Sequence, residues 1–239
     1  MGGLSGRHGS RRNGAAFQLY TVGETTRPFR ASGGLQIVPD YSLETAPPPR
    51  VIVIPAQSRE TGAMLEWIRK SSKGADLTMS VCTGAALLAK TGLLSGKSAT
   101  THHSAYRELA ALHPDIRVKR GVRFVEEGNL ATSGGLSSGI DLALRVVERY
   151  YGRDVAAKTA YEMEYQGEGW KNANSNQAYA AIPIPTDKHP LCAVCEMDVD
   201  PATALNAVYK DRTYFFCSKE HKEEFEAAPE KFAKEVQSH

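Results

Sequence analysis

The stretch "TMSVCTGAALLAKTGLL", residues 78–94, decides how the chain is read. With Leu77 before it, the apolar run 77–81 predicts a buried strand ending at Cys82. Thr83, Gly84 and Ala85 then lead into a helix predicted over 84–94, fraying toward Gly92. A cysteine on such a turn sees unpaired backbone N–H groups and the positive end of the helix dipole, which favour the thiolate. The small neighbours let a substrate approach, and the same N–H groups suit an oxyanion. This is the nucleophile-elbow pattern with cysteine in the serine position. The window taken alone equally suits an inert core thiol, because cysteine is among the most buried residue types.

Working outward, "AFQLYTV" (16–22) and "RVIVIPA" (50–56) read as short buried strands. In 62–72, Met64, Leu65 and Ile68 fall at helical spacing. Residues 104–113 read as a helix with Ser104 as N-cap, stopped by Pro114. Residues 116–135 alternate apolar and polar positions, with turn residues Gly121 and Gly128, and read as antiparallel strands or an edge excursion. A strongly amphipathic helix is predicted over 137–152 and another helix over 154–166. Strands alternating with helices predict an α/β layer fold with a mostly parallel sheet. Ligands in such sheets bind at the carboxyl ends of the strands, where Cys82 falls.

Of the 239 residues, 41% are hydrophobic and 23% charged, which suits a soluble chain that buries a core. The net charge of +2 comes without a long basic block, so nucleic acid is not the expected partner. No apolar run approaches the ~18–20 residues of a membrane helix. The basic, glycine-rich start lacks a signal-peptide h-region, so residues 1–15 read as a disordered tail and the expected location is the cytoplasm. Reduced cysteines are then expected, favouring catalysis or metal binding over disulfides. Cys82 stands alone, whereas Cys192, Cys195 and Cys217 fall close together. Residues 167–188 are rich in Asn, Gly, Ala and Pro and read as a linker, with Pro183 and Pro185 favouring extended backbone. The unit that follows, 189–239, is small enough to need a metal or a partner.

Three motifs follow one another in order: "SVCTGAALLAKTGLLSGK" (80–97), "KSATTHHSAYRELAALHPDIRV" (97–118) and "NLATSGGLSSGIDLALRVVERYYG" (129–152). Together they resemble the ThiJ/PfpI superfamily of the class I glutamine amidotransferase-like fold. The nearest flavour is the isonitrile hydratase-like branch, which also resembles the sensor domains of some AraC-type regulators. The resemblance spans about residues 16–170. It implies a flavodoxin-like three-layer sandwich and a homodimer. It places Cys82 at the elbow, Thr83 as the residue that orients substrate or water, and His102, in "TTHH", as a catalytic base. Gly134, Gly135 and Asp141 match the "GG…GID" signature. The family's first strand carries an acid that touches the cysteine. This chain enters the pattern at what looks like the second strand, so the expectation is either a start assigned too late or a degenerate, N-terminally truncated domain. The family's "PGG" reads Pro55-Ala56-Gln57 here.

In the C-terminal part, Cys192-x₂-Cys195 precedes Cys217-x₃-His221, a spacing suited to tetrahedral Zn²⁺. Thiolates also suit Cu(I). Between the pairs, "AVYKDRTYFFC" (207–217) reads as a β-hairpin with Asp211-Arg212 near its turn and Tyr214, Phe215 and Phe216 in its core. A short helix broken before Pro229 follows, and the Lys/Glu run 219–234 reads as its solvated face. Cys195, Met197, Tyr209, Tyr214, Phe216, Cys217, Ser218 and Phe225 resemble a YHS domain, in which Gly usually stands where Glu196 stands here. That resemblance implies a metal site. The opposing reading makes Cys192 incidental and the site partial.

The expected function is a cysteine-dependent hydratase or hydrolase of a small molecule, of isonitrile hydratase type, tethered to a metal-binding module. The rival is a non-catalytic protein that senses a ligand, oxidation or metal. No helix-turn-helix pair follows the α/β region, which disfavours a DNA-binding regulator.

Overall fold

Val51–Ile54 (β1) is apolar throughout, and Leu77–Val81 (β2) alternates Leu77, Met79 and Val81 with the buried hydroxyl residues Thr78 and Ser80, so both form strands. Ile52 and Ile54 enter one core with Leu87, Leu88 and Leu109, while Leu77 and Met79 enter another with Leu142 and Val146. The two cores are the two faces of a sheet, as the period-2 alternation of a strand requires. The computed structural model describes residues 17–57, 59–181, 186, 188 and 190–233. The expectations for 1–15 and for Pro183 and Pro185 lie outside these residues.

The chain divides into two compact units, Met1–Pro47 and Pro48–His239. In the first, Val22–Gly23 pairs in parallel with Tyr41–Ser42, and Phe29–Arg30 pairs antiparallel with Gln36–Ile37. The strand expected over 16–22 is reduced to its last residue, and Leu19 is 90% exposed. Thr21 instead gives both its backbone N–H (2.7 Å) and its hydroxyl (2.8 Å) to the Asp40 carboxylate, outside any ladder.

In the second unit β1 is followed by α1 (Gly62–Ser71), β2, α2 (Gly84–Lys90) and α3 (Tyr106–Leu112). The hairpin of β3 (Phe124–Glu127) and β4 (Leu130–Ser133), α4 (Leu136–Tyr151) and α5 (Arg153–Glu162) complete the α/β layers. The sheet order is β1-β2-β4-β3, parallel except for the β3–β4 hairpin, which turns at Gly128 with φ +69°. α1, α2 and α3 pack on one face and α4 on the other, the expected three layers. α2 stops at Lys90, four residues before the predicted end, because positive φ at Gly92 breaks the helical path. α3 is preceded by a 3₁₀ turn over His103–Ala105, so its expected N-cap moves: His102 Nδ1, not Ser104, accepts a backbone N–H. Among the described residues, no helix is long and apolar enough to cross a membrane.

The segment expected as a linker is packed over its described part. Trp170 is buried with Leu144, Ala156 and Ala160 on α4 and α5, and the Gln177 side-chain amide donates to the Gly121 carbonyl (3.1 Å). The C-terminal module is a hairpin, β5 (Leu205–Tyr209) and β6 (Arg212–Phe216), followed by α6 (Lys219–Ala227) and α7 (Pro229–Phe232). Its two-residue turn, Lys210-Asp211, has φ +50° and +61°, the left-handed pair that suits the twist of a hairpin. Phe216, Phe225 and Phe232 form its core, and Ala111 and Leu112 of α3 pack against it.

Gly84 marks where the sheet and α2 touch. A Cβ there would lie 2.3 Å from the Ile54 carbonyl oxygen and 2.8 Å from that of Pro55, both rigid backbone. Gly84→Ala is therefore expected to destabilise the protein by about 2 kcal/mol or more, through overpacking that no rotamer change relieves. A urea-unfolding midpoint equal to that of the wild type would refute the assigned contact.

Candidate active site and metal centre

Cys82 terminates β2 with φ +58°, a left-handed conformation that costs a residue with a Cβ roughly 1–2 kcal/mol. Two hydrogen bonds hold it there. Its N–H donates to the Gly134 carbonyl (2.8 Å), and its own carbonyl accepts from the Thr101 hydroxyl (3.0 Å). The elbow therefore rests on the loop after β4 and on the "TTHH" segment, both of which the sequence had singled out. Cys82 is partly exposed, and among the described residues none hydrogen-bonds its thiol. Thr83 occupies the N-cap of α2, but its hydroxyl does not cap the helix. The strain gives a direct test: Cys82→Gly should raise stability by about 1 kcal/mol over Cys82→Ala, since both remove the thiol and only one relieves the backbone. Equal unfolding midpoints for the two variants would count against a strained elbow.

His102 lies beside this turn, its Cδ2 3.1 Å from where a Gly135 Cβ would stand. Nδ1 accepts from the Ser104 N–H (3.4 Å) and is 2.8 Å from the Ser104 hydroxyl. Burial first, and the neighbouring His103 second, hold its pKa below the ordinary histidine range, so the ring is neutral near pH 7. A neutral ring with Nδ1 accepting carries its proton on Nε2. His103 stacks on Tyr179 with ring centroids 4.7 Å apart, so the packed segment after α5 reaches the same region.

Asp141 of the "GID" signature is fully buried and forms an ion pair with Arg123 (Nε–Oδ2 2.5 Å). Its other oxygen accepts from the Tyr165 hydroxyl (3.0 Å). Gly169 is held where a Cβ would stand 2.3 Å from Asp141 Oδ2. These contacts fasten the chain after α5 onto α4. Arg123 and Tyr165 were invisible as partners in the sequence, because no fixed spacing connects them to Asp141.

The four predicted metal ligands do converge. The Cys192, Cys195 and Cys217 sulfurs and one His221 nitrogen lie within 4.8 Å of one another. Cys195 and Cys217 sulfurs are 3.6 Å apart, and His221 Nδ1 is 3.2 Å from Cys217 Sγ and 3.6 Å from Cys192 Sγ. Zn–S bonds of about 2.3 Å in a tetrahedron place sulfurs about 3.8 Å apart, so the donor set fits such an ion. Cys217 directly follows β6, and Ser218 caps α6 by accepting the His221 N–H (3.3 Å), which puts His221 in the first turn beside Cys217. Cys192 is likewise fixed: its N–H donates to the Met197 carbonyl (2.8 Å) and the Ala193 N–H donates to the Phe215 carbonyl (2.9 Å). The hydrogen bond with Cys195, and then that with His221, draws the Cys192 thiol down to about 3, against its burial. The same contact with Cys192, and burial, push Cys195 up, and burial foremost pushes Cys217 up. A divalent cation bound among the three sulfurs would favour their ionised forms.

Glu196, at the position where the resembled module carries glycine, has φ +61°. Its carboxylate is buried and pairs with Arg120 (3.1 Å), from the segment between α3 and β3. Arg120 also donates to the Ala180 and Ala181 carbonyls (both 3.2 Å) and lies over the Tyr106 ring.

The model of the DJ-1/PfpI family matches residues 9–149. The chain belongs to the DJ-1/PfpI family. Behind this domain, a YHS domain model matches residues 193–236. Isonitrile hydratase of Pseudomonas putida is 37% identical over 153 residues, which cover 62% of this chain and 66% of that protein. Protein DJ-1alpha of Drosophila melanogaster is 31% identical over 145 residues, covering 57% and 65%. The chain thus spans just under two thirds of the length of these two relatives. A ThiJ/PfpI family protein from Pseudomonas syringae superposes with a TM-score of 0.58 at 26% identity, over 63% of this chain and 64% of that one. The DJ-1/PfpI match accordingly includes Cys82, and the YHS match includes Cys195, Cys217 and His221, with Cys192 directly before it.

Proposed function

We propose that this chain is a Cys82-dependent hydratase or hydrolase of a small molecule, of isonitrile hydratase type, with a metal-binding YHS domain at its C-terminal end. It acts in the cytoplasm as a homodimer. The observation that carries this reading is Cys82 at φ +58° on the carboxyl end of β2, a strained thiol held open at the turn. The similarity to an isonitrile hydratase supports the substrate class.

In the proposed reaction the Cys82 sulfur bonds to the terminal carbon of an isonitrile and that carbon gains a proton, giving a thioimidate. Water then adds across the carbon–nitrogen double bond. Breaking the carbon–sulfur bond releases the N-substituted formamide and returns the thiol. His102, neutral at the start, accepts the Cys82 thiol proton and passes it to that carbon, then accepts a proton from the attacking water and passes it to the nitrogen. Thr83 and the backbone N–H groups of the turn orient the water. The YHS domain binds Zn²⁺ or a copper-group ion through Cys192, Cys195, Cys217 and His221.

Incubating wild-type protein and Cys82→Ser with aliphatic and aromatic isonitriles, and following formamide by NMR, tests this reading. The wild type should turn over, and the variant should be at least about a hundredfold slower. No turnover by the wild type, or equal turnover by both, overturns the reading.

A further inference from the structure

His221 shows its Nδ1 edge to Cys192 and Cys217. Two carboxylates lie near the same ring: one oxygen each of Glu108 and Glu224 lies within 4.8 Å of the other and of a His221 ring nitrogen. Glu224 sits on α6 with His221, whereas Glu108 comes from α3 of the DJ-1/PfpI domain. We propose that Glu108 is a positioning residue for His221, so that the metal site of the YHS domain is completed from the DJ-1/PfpI domain. This inference rests on the metal-binding reading above.

Its physical basis is the behaviour of imidazole ligands. A metal-bound histidine donates its second ring N–H to a carboxylate, which fixes the tautomer, orients the ring and makes the bound nitrogen more basic. With Nδ1 turned to the sulfurs, Nε2 is the nitrogen left for Glu108 and Glu224. The placement of Glu108 is not left to a mobile surface. On the same helix, Arg107 donates to the Phe232 carbonyl, and Ala111 and Leu112 pack into the YHS core. Arg120 over Tyr106 clamps Glu196, the residue directly after the ligand Cys195. Three side-chain contacts and a shared apolar core therefore hold α3 in register with the ligands. By linkage, an ion that binds more tightly because of α3 also holds α3 and the YHS domain together.

The test uses the full chain. Zn²⁺ affinity is measured by chelator competition, and Co²⁺ by its thiolate charge-transfer and d–d absorption. Glu108→Gln should weaken Zn²⁺ by about tenfold or more and shift the Co²⁺ d–d bands. In a His221→Cys background, which keeps four ligands but no imidazole, Glu108→Gln should change nothing. Equal weakening in both backgrounds would show that Glu108 acts on the fold, and overturns the proposal. So does wild-type affinity in Glu108→Gln. Should His221→Cys not bind, Glu108→Asp decides: recovery of the wild-type Co²⁺ bands supports the proposal, and bands identical to Glu108→Gln overturn it. A wild type that binds neither ion overturns the metal-binding reading itself and this inference with it.

Discussion

Cys217→Ala is expected to leave the chain without its metal ion. Wild-type protein reconstituted with Zn²⁺ and dialysed should hold about one ion per chain, and the variant close to none. Cys217 links the two halves of the ligand set: its sulfur is 3.6 Å from Cys195 Sγ and 3.2 Å from His221 Nδ1. Without it the remaining ligands form an open three-coordinate site that a competing chelator empties. The effect on folding should be as large as the effect on binding. The YHS domain buries Val194, Phe216, Phe225 and Phe232 but little more, and domains of this size lean on their metals. Structural zinc contributes on the order of 10–16 kcal/mol in small zinc-dependent folds. Chelation of the wild type should therefore expose residues 192–233 to amide hydrogen exchange while β1, β2 and β4 stay protected. Unchanged metal content in Cys217→Ala would overturn the assigned ligand set. Unchanged exchange on chelation would show that the aromatic core suffices by itself.

Asp141→Ala should be the most destabilising single change in the DJ-1/PfpI domain among those considered. The carboxylate has no exposure and the Arg123 side chain only 16%. Removing one partner leaves a guanidinium buried without its anion, which costs about 3–5 kcal/mol. At roughly 2–4 °C per kcal/mol for a unit of this size, the melting temperature should fall on the order of 10 °C. The Tyr165 hydroxyl loses the shorter of its two acceptor contacts in the same step, keeping the Ser137 carbonyl (3.3 Å), and Gly169, packed against the carboxylate, faces a cavity. Replacing both charges, Arg123→Met with Asp141→Leu, should recover part of the loss, because it removes the uncompensated cation. A loss below about 1 kcal/mol in Asp141→Ala would mean that water screens the pair, contrary to its burial.

How much of this was legible beforehand follows from the range of the contacts involved. β2, the elbow and α4 could be read from residues 77–85 and 136–151, where period and small residues specify the local path. The "CxxC" and "CxxxH" pairs were readable because each ligand pair sits within one turn of backbone. Glu196 was readable as a departure from a glycine pattern, but its reason was not. Its left-handed φ is offset by an ion pair to Arg120, which lies far away in the chain. Residues 167–181 looked like a linker because Asn, Gly and Ala have no periodicity. They are packed because Trp170 finds a pocket on α4 and α5 and Arg123 donates its N–H to the Ala173 carbonyl (2.6 Å). The expected strand at 16–22 failed in the opposite way, since an apolar run without a ladder partner has nowhere to bury its side chains.

Sequence by itself determined the alternation of strands and helices, the Cys82 turn and the two halves of the Cys₃His cluster, because each depends on neighbours a few residues apart. Tertiary structure alone decided that His102 caps a turn through Nδ1 and that Asp141 is a buried clamp. It alone also placed Glu108 of α3 near His221 of the C-terminal module. Those outcomes depend on which distant surfaces meet, and burial, charge pairing and close backbone approach select them only once the chain has folded.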